Sequence, residues 1–468
     1  MKKYQLYING SWTESVSDRW IEVENPATKE VIGMVPRGNE TDVDKAVAAA
    51  KAAAPAWAEK TPQERALLLR RLAEVIERRK DEFSLVISNE LGIPLKHAFD
   101  FHVAGAISDA KEAADLAESY EYEKQTDAGV IRREPFGVVA GITPWNYPLT
   151  QATYKLFPAI AAGNTVVLKP SQNTPLCCCL LTEAIEEAEF PAGVFNMVTG
   201  AGGEVGNAIA LHPDIDALSF TGSTAGGIEV GKLALNTVKK ITLELGGKSP
   251  LVVLEGADYE AAVKEACSSA FMNSGQTCCA YTRMLIPASH QDEIEALLVK
   301  EAAKYIAGDP LDPISEVGPL SSERAFEKVR DYLKKGLAEG ARLLVGEVPE
   351  DCEHGYYVKP AVFVDVKNDM IIAKEEIFGP VLSVISYETK EEALAVANDT
   401  PYGLAGAVFG PQEEALDFAR RIKAGFLCVN GAAGGSGMPF GGYKQSGIGR
   451  EGGMFGFEEF LEVKALFW

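Results

Sequence analysis

Two cysteines stand side by side in FMNSGQTCCA (271–280), on a glycine-containing turn after a helical stretch. A thiol with a pKa near ~8.5 is only a few per cent thiolate at neutral pH, so a working nucleophile needs help from its surroundings. Histidine is one source of help. The chain has five, His97, His102, His212, His290 and His354, and none falls in a cysteine-protease pattern, so a Cys–His hydrolase is unsupported. A carboxylate is another. LELGGKSP (243–250) sets Glu244 between two leucines in an apolar strand, a costly place for a charge unless it is hydrogen-bonded or functional. The two glycines beside it allow a ligand or another chain segment close access. Read in isolation, each has a plainer use: the cysteines as small buried hydrophobes and Glu244 as an exposed acid.

Three further segments carry polar groups at strand ends. TPWNYP (143–148) holds Asn146 in a rigid loop after a strand, where it serves either chemistry or a turn. VVLKPS (166–171) ends an apolar strand with Lys169, where α/β sheets bind ligands, although a surface lysine capping a loop has the same pattern. FTGSTAGG (220–227) runs from a strand through a glycine turn into a helix whose free N–H groups would favour a pyrophosphate; ordinary strand–helix connections look similar. The formal G-x-G-x-x-G at Gly447–Gly452 follows a polar loop and not a strand, so it is rejected as a dinucleotide fingerprint. No H-E-x-x-H, paired C-x-x-C, P-loop or EF-hand sequence is present, and no metal is expected.

The elements that must position these groups read as alternating short apolar runs and helical segments. VVAGIT (138–143), TVVLKP (165–170), VFNMVT (194–199) and ALSFTG (217–222) are expected strands, followed by helices near 150–162, 175–188, 203–211 and 224–236. A second series begins at LVVLEG (251–256) and includes TRMLIP, AVFVDV and GPVLSVISY, with a boundary between the two units near Leu245–Ser249. Short strands are expected over 1–35 and helices over 41–58 and 61–91, the latter opened by the cap and first-turn proline of Thr61-Pro62. Segment 120–135 and the terminal LEVKALFW alternate apolar and polar residues outside both units, as a small separate sheet would.

Composition narrows the function classes. With 468 residues, 47% apolar and 24% charged, the chain is a well-cored protein of two or three domains. Its formal charge of −22 repels phosphate backbones, so nucleic acid is not an expected partner. No signal peptide and no run long enough for a spanning helix is visible, and the bunched cysteines 177–179 and 278–279 suit reduced thiols in a cytoplasmic protein.

Together, TPWNYP, VVLKPS, FTGSTAGG, LELGGKSP, NSGQTCC, EEIFGP (375–380) and PFGGYKQSGIGRE (439–451) resemble the aldehyde dehydrogenase superfamily in order and spacing, from VENPAT (23–28) to LEVK (461–464). The resemblance implies an α/β chain with a Rossmann-like nicotinamide-binding domain (1–119 and 136–247), an α/β catalytic domain (248–446) and a small β oligomerisation element (120–135 and 447–468). It implies Cys278 as nucleophile, with Cys279 its less favoured neighbour, Glu244 as general base and Asn146 as the oxyanion-holding amide. Cofactor contacts are implied for Lys169 and Gln172 at the adenosine ribose, Gly222 and Ser223 at the pyrophosphate, and Glu376 and Phe378 at the nicotinamide half. Trp145 and Lys155 match supporting positions near the cofactor and the active-site loop. The expected partners are a small-molecule aldehyde and further copies of the chain, as homodimer or homotetramer, with no nucleic acid and no membrane.

Three features depart from the resemblance. Many NAD-preferring relatives carry Glu where this chain has Gln172; a neutral side chain does not repel a 2′-phosphate, so NAD+ use with tolerance of NADP+ is expected. The loop GAAGGSGMPF (431–440) has small residues where relatives often place aromatic ones around the aldehyde tunnel, so bulky or long-chain aldehydes are expected. Cys177–Cys179 has no matching role, and core packing is expected of it. Retention of Glu244 favours hydrolysis over acyl transfer to coenzyme A. The alternatives are a semialdehyde dehydrogenase, for which no cationic clamp is visible near 146–157, a non-catalytic binding protein on the same fold, and an esterase using the thiol and Glu244 alone.

Overall fold

The computed structural model describes residues 2–435 and 437–468. Its centre is an eight-stranded sheet in the spatial order Gly447–Ile448, Lys240–Glu244, Ala217–Thr221, Val138–Ile142, Thr165–Lys169, Phe195–Met197, Leu6–Ile8, Ser11–Thr13. The five central strands are parallel, and the outer three run antiparallel to their neighbours. Their cores, VVAGI, TVVLK and ALSFT, are buried at every position, as strands covered by helices on both faces require. Chain order starts in the middle at Val138–Ile142, proceeds outward on one side, then returns to the other side at Ala217–Thr221. The crevice beyond the carboxyl ends of those two strands is therefore a topological switch point, the place where open α/β sheets bind ligands.

Glu244 closes a strand of this sheet, and Pro250 opens the next sheet six residues later. That second sheet has seven strands in the order Arg342–Val345, Ala361–Val364, Val381–Tyr387, Arg283–Pro287, Pro250–Val253, Ala405–Phe409, Phe426–Val429, all parallel but for the first. A third, antiparallel sheet joins Glu123–Thr126, Gly129–Pro135 and Leu461–Phe467. Within 447–468 only Leu461–Phe467 belongs to it; Gly447–Ile448 pairs with Leu243 and Glu244 instead.

Helices run from Pro148 to Ala162, Leu176 to Glu187 and Thr224 to Ala234, as the apolar spacing predicts. Two differ in detail. The helical stretch expected over 61–91 breaks at Arg79 (φ −99°, ψ 14°), where the turn lets the guanidinium reach Glu82 and Glu183. The expected helix 203–211 begins as a π turn over Gly202–Gly206, because a glycine-rich start fixes no α geometry. Cys177, Cys178 and Cys179 lie buried on the helix Leu176–Glu187, packed in the core.

Candidate active site

The helix Tyr259–Phe271, capped by Asp258 onto the N–H of Ala261, ends at the loop that carries the two cysteines. Asn273, Ser274 and Gly275 then follow with φ of 50°, 57° and 70°, three successive left-handed residues. Non-glycine residues in that region cost ~1–3 kcal/mol each and persist only where the surroundings hold them. Here they do. Asn273 Nδ2 donates to the carbonyl of Asn146 at 2.9 Å, Ser274 Oγ donates to the carbonyl of Gly318 at 2.9 Å, and a Cβ on Gly275 would meet Gly379 O at 2.1 Å. Gln276 is buried, donating to Asn273 O and accepting from Ser321 N.

Cys278 and Cys279 are half-buried at the end of this loop. The adjacent Cys279 thiol, burial, and the nearby carboxylates of Glu244 and Glu376 push the Cys278 thiol well above its ordinary range. That direction favours the thiol over the thiolate, so attack is helped by a group that takes its proton or by positive charge arriving nearby. Asn146 donates from Nδ2 to the carbonyl of Gln276 at 2.8 Å. An amide has two donors, so this contact anchors Asn146 beside the cysteine loop and leaves its second N–H for a ligand.

Glu244 ends the strand Lys240–Glu244, 1% exposed, and neither carboxylate oxygen has a hydrogen-bond partner. Burial, reinforced by Glu451, pushes its pKa well above the carboxylate range, while Lys155 and Arg450 act in the opposite direction. Space for it is cleared by glycine: a Cβ on Gly441 would sit 2.7 Å from Glu244 Oε1. Ser446 fixes the turn after it, donating to Gly246 O at 2.7 Å and accepting from Gly403 N. Lys155 Nζ meets Glu451 Oε1 at 2.5 Å and donates to Thr221 Oγ1 at 2.6 Å, all buried.

The cofactor candidates cluster along the switch point. Lys169 ends its strand 3% exposed, its Nζ bonded only to Pro170 O at 2.9 Å, and burial lowers its pKa to about 8. Spare ammonium hydrogens there suit hydroxyl groups. Gln172 lies exposed in the loop beyond it. Gly222 N donates to Glu244 O at 3.0 Å, and Ser223 caps the helix Thr224–Ala234 by accepting from Gly226 N, so a helix N-terminus opens into the crevice. Glu376 is tied to the turn after Glu244: Gly247 N donates to its Oε1 at 3.0 Å, and a Cβ on Gly246 would meet Oε2 at 2.6 Å. Phe378 (φ 63°) packs edge-on against Trp145, ring centroids 5.3 Å apart. These donors, this helix end and these aromatic faces fit a dinucleotide.

The family resemblance singled out Cys278, Glu244 and Asn146 but gave no role to Ser446 or Gln276 and did not show the partnership of Glu451 with Lys155. Glu451 and Ser446 lay inside a quoted motif; their partners are 296 and 200 residues away, with no periodic signal to mark them. The loop 431–440 is largely exposed, with open space around Gly434 and Gly435; Ser436 lies outside the described residues.

The profile of the aldehyde dehydrogenase family matches residues 12–466. A Staphylococcus haemolyticus protein assigned by name alone to the aldehyde dehydrogenases is 44% identical over 470 residues, covering 100% of this chain and 99% of its own. Among solved structures, a cysteine-to-alanine variant of Pseudomonas syringae aldehyde dehydrogenase C, in complex with NAD+ and octanal, matches with a TM-score of 0.98 and 45% identity, covering 99% of this chain and 96% of its own. A Mycobacterium tuberculosis aldehyde dehydrogenase complexed with NAD+ matches with a TM-score of 0.97 and 41% identity, covering 100% and 98%.

Proposed function

The chain belongs to the aldehyde dehydrogenase family, and from that premise we propose that it oxidises medium- and long-chain aldehydes to carboxylic acids through a covalent adduct on Cys278. Aldehyde oxidation coupled to a nicotinamide cofactor is the activity of this family, and the similarity over nearly the whole chain carries it here. The observation that supports Cys278 as nucleophile is the pinned left-handed loop that presents it half-buried beside Asn146 and the unpartnered Glu244.

Cys278 Sγ attacks the carbonyl carbon, and the thiol proton passes to solvent water, which the half-buried side chain can reach. The free N–H of Asn146 and the Cys278 backbone N–H stabilise the oxyanion, each donor worth roughly 3–4 kcal/mol in comparable sites. When bound, NAD+ supplies the acceptor for the hydride that leaves the tetrahedral carbon. Lys169, Gln172, Gly222, Ser223, Glu376, Phe378 and Trp145 would hold that cofactor, and Lys155 supports the site through Glu451. Glu244 then takes a proton from the water that hydrolyses the thioester; its raised pKa brings it towards the operating pH, where general-base catalysis is most effective.

The exposed, small-residue loop 431–440 supports acceptance of long or bulky aldehydes. A semialdehyde is a poorer fit: Glu112 approaches this loop, with its Oε1 3.8 Å from a Cβ placed on Gly437. A carboxylate there repels an anionic tail. Exposed Gln172 supports NAD+ use with tolerance of NADP+. We assign residues 1–119 and 136–247 to the cofactor domain, 248–446 to the catalytic domain, and 120–135 with 447–468 to oligomerisation. Val463, Leu466 and Phe467 are exposed on the terminal strand, which supports burial in a homodimer or homotetramer. No helix among the described residues is long and apolar enough to cross a membrane. Eight free cysteines among those residues support a reducing, cytoplasmic setting.

The test is a panel of acetaldehyde, octanal, benzaldehyde and a dicarboxylic semialdehyde, with each cofactor, followed by formation of reduced nicotinamide. Octanal is expected to show the highest kcat/KM. A preference for acetaldehyde or the semialdehyde contradicts this reading.

A further inference from the structure

His102 lies fully buried on a π turn, Phe99–Val103, at the entry to the helix Ala104–Ser119. Neither ring nitrogen has a hydrogen-bond partner. Burying an imidazole without partners forfeits the hydration of both ring nitrogens, a cost that a leucine or phenylalanine would avoid. π turns inside helices are frequently found at functional sites. Burial lowers the His102 pKa to about 3, so the ring is neutral and serves no acid–base role near neutral pH.

One contact gives the ring a use. It stacks on Tyr147, centroids 4.9 Å apart with planes inclined by 19°. Tyr147 follows Asn146 and opens the helix Pro148–Ala162, and its hydroxyl lies 2.8 Å from Thr277 Oγ1. Thr277 immediately precedes Cys278. The same turn is fastened from below, where Thr150 Oγ1 donates to the His102 carbonyl at 3.2 Å. A rigid path thus runs from the π turn through two stacked rings to the residue before the nucleophile.

We infer that His102 is a positioning residue for the Cys278 loop, acting through its stack on Tyr147 and the Tyr147–Thr277 hydrogen bond. The inference rests on the proposed role of Cys278 as nucleophile. The flat ring blocks the phenol from swinging away from Thr277, and holding the phenol holds the loop. Loss of the ring frees the loop without touching the cofactor crevice. Misplacing a nucleophile by about 1 Å costs up to ~100-fold in rate, and a partial release of the loop is expected to cost on the order of tenfold.

The experiment compares His102→Ala, His102→Phe, Tyr147→Phe and the double variant His102→Ala/Tyr147→Phe in steady-state kinetics with NAD+ and octanal. His102→Ala and Tyr147→Phe are each expected to lower kcat on the order of tenfold, with KM for NAD+ within about twofold of the parent. His102→Phe keeps a flat ring and is expected to recover most of kcat. The double variant is expected to be no slower than either single variant, because both break one path. Parental kcat in His102→Ala or Tyr147→Phe, or losses that multiply in the double variant, overturns the inference. Should His102→Ala not fold, His102→Phe and Tyr147→Phe still decide it, since a parental rate in Tyr147→Phe is contradictory alone. Peptide-level mapping of the acyl adduct in the parent separates the two claims: an adduct elsewhere than Cys278 refutes the nucleophile, whatever the His102 variants do.

Discussion

Lys155 Nζ lies 2.5 Å from Glu451 Oε1, with both side chains all but sealed from water. The two charges act on Glu244 in opposite directions, Glu451 raising its pKa and Lys155 lowering it. Glu451→Gln removes the carboxylate while an amide oxygen still accepts from Lys155. The Glu244 pKa then falls, and the acid limb of the kcat–pH profile moves to lower pH. Lys155→Met leaves a buried carboxylate unpaired and is expected to destabilise the fold by about 3–5 kcal/mol in denaturant unfolding. An unmoved acid limb in Glu451→Gln contradicts the coupling.

Because burial holds Glu244 above the ordinary carboxylate value of ~4.3, it accepts a proton only as pH rises through its raised pKa. Turnover therefore falls on the acid side at a pH higher than an exposed glutamate would give. Glu244→Gln cannot take the proton from water, and steady-state turnover is expected to drop by roughly 10²–10⁴-fold while a burst of reduced nicotinamide persists in the first turnover. Rapid-mixing absorbance distinguishes this from loss of both phases.

Gln172 stands exposed three residues beyond Lys169, without a charge to repel a 2′-phosphate. Gln172→Glu introduces that repulsion, and kcat/KM for NADP+ is expected to fall at least about tenfold, the equivalent of ~1.4 kcal/mol, with NAD+ little affected. A parent preference for NAD+ above about a thousandfold contradicts the reading of this position.

Gly275 has φ 70°, and any Cβ there would press on the carbonyl of Gly379, next to Phe378. Gly275→Ala is expected to cost about 1–3 kcal/mol in strain, with more from the clash. The displaced 376–379 segment should also raise KM for NAD+. Wild-type stability together with wild-type KM refutes this account of the loop.

The strands that build the cofactor crevice were legible because VVAGI, TVVLK and ALSFT are apolar throughout and end in turns rich in Gly and Pro. Glu244 stood out by local conflict, an acid in an apolar run; the thiol pair was visible on its glycine turn, but only the family resemblance chose Cys278 over Cys279. Local pattern does not carry what distant segments impose. The left-handed run Asn273–Gly275 is fixed by Asn146, Gly318 and Gly379, and nothing in NSG alone predicts it. The Lys155–Glu451 pair, the Ser446 clamp and the His102–Tyr147 stack join residues far apart in sequence, and Gly447–Ile448 becomes a strand only because the Leu243–Glu244 edge is there to pair with it.

The central claim is that a covalent bond forms at Cys278 Sγ. It is tested most directly by comparing parent, Cys278→Ala and Cys279→Ala for octanal-dependent reduction of NAD+. Cys278→Ala is expected to lose more than about a thousandfold in kcat, as removal of a nucleophile does, while Cys279→Ala keeps most of it. Parental turnover in Cys278→Ala, or a comparable loss confined to Cys279→Ala, would contradict the account.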